Sequence, residues 1–323
     1  MLRDRPVKVA RPPLPSEPAL WNRGLPCSTL AAPSMSRATL LGFCAILLWS
    51  LFALLTTLSG AVPPFQLAAM TFAIGGLVGC ASWIVRPAGI RALRQPWRVW
   101  LLGIGGLFGY HALYFAALRL APPAEAGLIN YLWPLLIVLL SAHLPGAPGL
   151  RAGHLGGAAL GLAGVAALFA GRGGFEFAAG ALPGYLAALA AAFVWAGYSV
   201  LSARVGAVPT GAVAGFCLAT AALSFACHRA FEAAAWPEGA LQWAAILALG
   251  LGPVGAAFYL WDIGVKRGDL RLLGVAAYAA PILSTLALVA GGHARPSPAL
   301  GLACALIVLG AGVAVRASRR GLG

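Results

Sequence analysis

Ten apolar runs, each close to twenty residues long, are the feature that most limits what this chain can become. They lie at roughly 38–59, 65–85, 97–118, 124–143, 152–170, 181–203, 210–229, 240–264, 269–290 and 297–316. An α-helix needs about 20 residues to cross about 30 Å of hydrocarbon. Strand-like alternation of apolar and polar residues is absent, which excludes a β-barrel. Breaker clusters separate the runs: Val62-Pro63-Pro64, Arg86-Pro87-Ala88-Gly89 and Leu144-Pro145-Gly146. The fourth–fifth and eighth–ninth boundaries are the least clearly marked. Only 9% of residues are charged, against about 25% in soluble domains. With a mean hydropathy of +0.87, the bilayer is the expected solvent. The expected fold is an all-α integral membrane protein with ten transmembrane helices.

The formal net charge of +14 raises the question of nucleic acid. The placement of the charges answers it, because Lys and Arg sit in short connectors between apolar runs. With the N-terminus inside, eighteen basic residues fall in inside segments and four (Arg119, Arg172, Arg229, Arg295) in outside loops. A wrong helix count would scramble that alternation. The expectation is a multi-pass protein of the bacterial inner membrane with both termini cytoplasmic and the lipid bilayer, not nucleic acid, as its surroundings.

Residues 1–36 differ in kind. They are rich in Pro and Arg (Arg11-Pro12-Pro13-Leu14-Pro15) and lack an apolar run long enough for a signal peptide. The expectation is a disordered tail, with Met35-Ser36-Arg37 as a candidate biological start. The six cysteines show no CxxC spacing, and Cys44, Cys80, Cys217 and Cys304 fall inside apolar runs. That argues against a disulfide framework.

The chain also repeats itself. Residues 102–134, shifted by 147, lie on 249–281 without gaps. Leu102, Gly103, Gly105, Leu113, Gly127, Tyr131 and Pro134 meet Leu249, Gly250, Gly252, Leu260, Gly274, Tyr278 and Pro281. Arg119 meets Lys266, Tyr114 meets Trp261 and, with one small gap, Trp49-Ser50 meets Trp195-Ala196. An odd number of spans makes the second copy enter from the opposite face, so two inverted five-helix repeats are expected. Many secondary transporters have this architecture, with the substrate near the midplane between halves. The implied units are residues 37–171 and 172–316, followed by a basic tail at 317–323.

These features resemble the EamA-type repeats of the drug/metabolite transporter superfamily over about 38–316. The residues carrying the resemblance are the Trp followed by a small residue in each first helix and the apolar helices ending near Pro134 and Pro281. Gly109-Tyr110-His111-Ala112-Leu113-Tyr114-Phe115-Ala116-Ala117-Leu118 and Gly127-Leu128-Ile129-Asn130-Tyr131-Leu132-Trp133-Pro134 are similar to the branch that exports aromatic amino acids from bacteria. The resemblance implies a ten-helix inner-membrane exporter with a central cavity. The long Pro-rich tail departs from that pattern.

Candidate substrate-binding residues are the polar aromatics and their neighbours at mid-depth: Trp49; Tyr110, His111 and Tyr114; Asn130, Tyr131, Trp133 and Pro134; Trp195 and Ser199; Tyr278 and Pro281. Trp and Tyr usually populate membrane interfaces, and a buried hydroxyl or indole N–H needs a partner. Two readings compete: hydrogen bonding between packed helices, and a cavity wall where rings stack on a flat substrate. Tyr131 and Tyr278, being repeat-related, are expected to flank a pseudo-symmetric cavity. Pro134 and Pro281 free the carbonyls of Asn130 and Ala277, either to bind an ammonium group or to let the helix bend. His111 is the one histidine well inside an apolar run, with substrate recognition, proton coupling or a neutral core role open to it.

Asp262, four residues before Lys266, reads as an ion pair, and Glu125 suits the start of its helix. No buried carboxylate relay is visible, which favours facilitated export down a gradient over a carboxylate-driven proton pump. Gly250-Leu251-Gly252-Pro253-Val254-Gly255 has the form GxGxxG, but lies in an apolar run with no preceding strand. No cofactor, metal or catalytic constellation is expected. Gly153, Gly157 and Gly161, and Gly75 and Gly79, are spaced for close helix packing. That packing is expected within one chain, and both a monomer and a homodimer fit it. The expected function is alternating-access export of aromatic and other neutral amino acids. A broader metabolite or drug exporter is the alternative. A lipid-modifying intramembrane enzyme would need an acid, base or metal cluster at one face, which is not found. A receptor or scaffold would need neither the repeat nor a polar midplane.

Overall fold

A computed structural model describes residues 36–85, 87–144, 150–171, 178–293 and 295–319. The tail before Ser36, the candidate start at Met35 and the last residues of the basic C-terminal tail lie outside the described residues. Within them, each apolar run folds as a helix, since backbone groups in hydrocarbon must be satisfied within their own segment. The ten helices long and apolar enough to cross a membrane are α1 Arg37–Leu58, α2 Pro64–Ile84, α3 Trp97–Leu120, α4 Pro123–His143, α5 Ala152–Ala170, α6 Ala179–Arg204, α7 Ala212–Phe231, α8 Ala240–Arg267, α9 Leu270–Ala290 and α10 Pro298–Ala317.

Local chemistry sets the ends. Ser36 caps α1, its hydroxyl accepting from the Thr39 amide at 3.2 Å. The Asp269 carboxylate caps α9 by accepting from the Arg271 and Leu272 amides. Gly60, at φ 78°, turns the chain after α1. Helix α8 runs to Arg267, about a turn beyond the expected 264. Lys266 explains the extension: its ammonium pairs with Asp262 at 2.7 Å and donates to the Val208 carbonyl at 3.0 Å, and cations suit a helix C-terminus.

Two kinds of interruption recur in both halves, at or within one residue of the 147-residue spacing. Helix α3 contains a π-helical turn at Gly105–Gly109, and α8 contains one at Gly252–Ala256. Helix α4 breaks at Tyr131–Leu132, and α9 breaks at Ala277–Tyr278, just ahead of Pro134 and Pro281. Proline has no N–H to donate to the carbonyl four residues back and its ring crowds that carbonyl, so the break falls there.

The packing follows the same symmetry. Helix α5 packs on α10 and α2 on α7; α3 packs on α6 as α8 packs on α1, and α4 packs on α6 as α9 packs on α1. Exchanging the first five helices for the last five leaves this set of contacts unchanged. The molecule is thus a pair of inverted five-helix repeats. Glycines bring the helices close: a Cβ on Gly75 would lie 2.8 Å from Gly255 Cα, one on Gly157 2.6 Å from the Gly310 carbonyl, and one on Gly264 2.8 Å from Gly42 Cα. The small-residue spacings therefore serve packing within the chain.

Candidate functional site

The interior is organised around four tryptophans from four helices: Trp49 of α1, Trp133 of α4, Trp195 of α6 and Trp261 of α8. All six pairs are in ring contact. Trp49 lies 5.0 Å from Trp261, 5.6 Å from Trp195 and 6.5 Å from Trp133. The remaining centroid distances are 6.1 Å (Trp133–Trp261), 6.3 Å (Trp133–Trp195) and 6.4 Å (Trp195–Trp261). Most of the pairs meet edge to face, the arrangement the aromatic quadrupole favours.

Two indole N–H groups are anchored. Trp49 Nε1 donates to the Pro253 carbonyl at 3.0 Å, and Trp261 Nε1 donates to Ser199 Oγ at 3.1 Å. The first acceptor lies in the π turn of α8, where an extra residue per turn displaces carbonyls from the helical ladder. The π turn of α3 is used likewise: His111 Nδ1 lies 2.7 Å from the Leu107 carbonyl. A carbonyl only accepts, so Nδ1 carries the hydrogen, and in the neutral ring Nε2 is an acceptor.

His111 extends the cluster towards α2. Its ring meets Phe72 edge-on at 5.0 Å and Phe258 of α8 at 6.2 Å, and Phe72 stacks on Phe258 at 5.4 Å. On the other side Tyr110 stacks on Tyr114 at 6.0 Å and leans on Trp195 at 5.2 Å. The Asn130 amide donates to the Tyr110 hydroxyl at 3.1 Å, while Asn130 Oδ1 is buried with no hydrogen-bond partner among the described residues. Trp133, Trp195, Trp261, Tyr198 and Ser199 are buried, whereas Trp49, Tyr110, His111 and Tyr114 are half-buried. His111 is packed between α2 and α8 and keeps only part of its surface accessible.

The two ends of the bundle differ. At one end the Lys266–Asp262 pair is almost dry, and Asp262 also accepts from the Thr210 hydroxyl at 2.7 Å. The Asp269 amide donates to Thr39 Oγ1 at 2.9 Å, and the Arg271 guanidinium donates to Ser141 Oγ at 3.1 Å, tying α9 to α1 and α4. At the other end Glu232 caps α2 by accepting from the Phe65 and Gln66 amides. It also pairs with His228 at 3.1 Å and with the half-exposed Arg119 at 3.2 Å. Arg119 and Lys266 are repeat-related, so corresponding cations form ion pairs at opposite ends.

Trp49, Tyr110, His111, Tyr114, Asn130, Trp133, Trp195 and Ser199 are thus brought together. Pro134 is buried on α4 with its carbonyl 3.1 Å from where a Cβ on Gly274 would lie, and Pro281 is buried on α9. Tyr131 and Tyr278 are not with the group: Tyr131 meets Phe169 of α5 at 6.2 Å, and Tyr278 is fully buried against Gly161 of α5. Both belong to the second apolar cluster, between α4, α5, α9 and α10. The structure adds Trp261, Phe258 and Phe72. The first two had a signal in the sequence, since the 147-residue shift pairs Trp261 with Tyr114 and Phe258 with His111. Phe72 had none, being one apolar residue in an apolar run.

Comparison with known proteins agrees with this architecture. Residues 36–170 and 182–316 each match the EamA-like transporter family. The chain is 63% identical over 288 residues to the aromatic amino acid exporter YddG of Ancylobacter novellus, covering 89% of this chain and 100% of that protein. It is 28% identical to the aromatic amino acid exporter YddG of Salmonella typhimurium and 26% identical to that of Escherichia coli, each over 77% of this chain and 86% of the relative. A crystal structure of a protein with 63% sequence identity superposes with a TM-score of 0.85, covering 89% of this chain and 99% of that one. Ten spans, a duplicated five-helix unit and two matched repeats leave one assignment: the chain belongs to the EamA-like transporter family, as a transporter and not an enzyme.

Proposed function

We propose that the protein exports aromatic and other neutral amino acids across the bacterial inner membrane. It does so by alternating access between units 37–171 and 172–316, facilitatively, with both termini in the cytoplasm. The observation that carries this reading is the composition of the central aromatic cluster, which we take to line the substrate chamber: four mutually touching tryptophans, two tyrosines, a histidine and an asparagine, and no carboxylate among these residues. Rings at these spacings can part to take a flat side chain between them, replacing one edge-to-face contact by another. Asn130 Oδ1 and His111 Nε2 are acceptors suited to an ammonium group. A fixed carboxylate would instead select cations. The names of the 63%, 28% and 26% identical relatives support the substrate class. The eighteen-to-four division of basic residues supports the orientation.

The test is growth of cells expressing the protein in a toxic phenylalanine analogue. The intact protein is expected to confer resistance. Trp195→Ala, expressed at the same level, is expected to lower export about 10-fold, the loss of one aromatic contact of about 1–1.5 kcal/mol. Resistance unchanged by Trp195→Ala and by Trp49→Ala would remove the chamber from the path.

A further inference from the structure

The N-terminal end of α5 and the C-terminal end of α10, the ends proposed as cytoplasmic, border an open cleft of about 420 Å³ lined by Arg151, Gly153, Val313, Arg316 and Ala317. Two arginines and no acidic residue are among its lining residues. Gly153 lets the two helices approach closely beside it: a Cβ there would lie 2.7 Å from Ala317 Cβ. Arg151 donates one N–H to the Ala317 carbonyl at 3.2 Å, which blunts the negative end of α10 and leaves the rest of its fork for another acceptor. Among the described residues, neither Arg151 nor Arg316 forms an ion pair with a carboxylate. Two cations lining one cleft, with no carboxylate paired to either among the described residues, suit an anion.

The surface leading from the cavity is of the opposite character. Leu302, Leu309 and Val313 share one stripe of α10 with Arg316, at spacings of seven, four and three residues, and all three are exposed. Leu155 and Ala159, four and eight residues beyond Arg151, continue the same pattern on α5 and are also exposed. A basic head with an apolar track running from it into the membrane matches one class of ligand. We propose that this cleft binds an anionic phospholipid, its phosphodiester held by Arg151 and Arg316 and an acyl chain laid along Leu302, Leu309 and Val313. Basic pockets between helices on the cytoplasmic side are suited to such headgroups, and planar guanidinium groups match phosphate oxygens in pairs.

The experiment is native mass spectrometry of the purified full-length protein released from detergent after incubation with phosphatidylglycerol, phosphatidylcholine or inorganic phosphate. The expected result is one retained phosphatidylglycerol, at least 5-fold more of it than of phosphatidylcholine, and no displacement by millimolar phosphate. Arg316→Gln leaves the Arg151–Ala317 bond intact and is expected to lower retention at least 5-fold, with Arg316→Lys intermediate. Displacement by inorganic phosphate would make the site one for a free anion and overturn the lipid assignment. Equal retention of both lipids, or unchanged retention in Arg316→Gln and in the Arg151→Gln, Arg316→Gln double variant, would overturn the site itself.

Discussion

Ser199 supports more than its size suggests. Its hydroxyl is the acceptor for the Trp261 indole N–H, and both side chains are fully buried. Ser199→Ala would leave that N–H in an apolar interior with nothing to replace the bond, at a cost of about 1–3 kcal/mol. The expected result is a lower thermal unfolding midpoint in detergent, with a further loss of export from the displaced Trp261 ring. An unchanged midpoint would mean that the indole finds another acceptor. At this scale the sequence told much about which residues matter and less about where they point. Trp49 and Trp195 were legible because an indole at mid-depth is out of place unless it is used. Tyr131 and Tyr278 carried the same signal, yet both sit in the α5 and α10 cluster. In a helix that breaks at that residue, a single position does not fix the direction of the ring.

The π turns of α3 and α8 show what the elements contribute. Each inserts one residue into the helical register, so side chains before and after it face directions that a regular helix would not bring together. In each, a carbonyl in or beside the turn receives a ring N–H: Leu107 from His111 and Pro253 from Trp49. The sequence showed glycines at both places and a spurious GxGxxG in one, but periodicity alone cannot reveal an added residue in a helix that is apolar all round. The helix limits, in contrast, were legible to within a turn, because breaker residues and charge punctuate them. The turn in α8 also lies where α2 crosses it, Gly75 against Gly255. Gly75→Val would force the two backbones apart, an overpacking cost of about 1–3 kcal/mol. The expected outcome is a lower unfolding midpoint and reduced export. Gly105→Ala, where a Cβ meets nothing within 4 Å, is expected to preserve the midpoint.

At the scale of the molecule, the inverted repeat was the most legible property, because it was written three times: in the 147-residue shift, in the alternation of basic loops and in the count of spans. What the sequence withheld was the difference between the two ends. Arg119 and Lys266 occupy corresponding positions, yet Lys266 is nearly dry and Arg119 half-exposed. The two corresponding cations thus sit in different surroundings at opposite ends of one chain. The alternating access proposed between two such halves needs no energy source beyond the substrate gradient, and the aromatic residues in ring contact include no carboxylate to take up a driving proton. The central claim is facilitated export through the aromatic chamber. Its most direct test is efflux of labelled phenylalanine from liposomes containing the purified protein, with and without a pH gradient. The account predicts efflux at similar rates in both conditions, lowered by Trp195→Ala and by His111→Ala. Efflux only under a pH gradient, or none from folded protein, would contradict it.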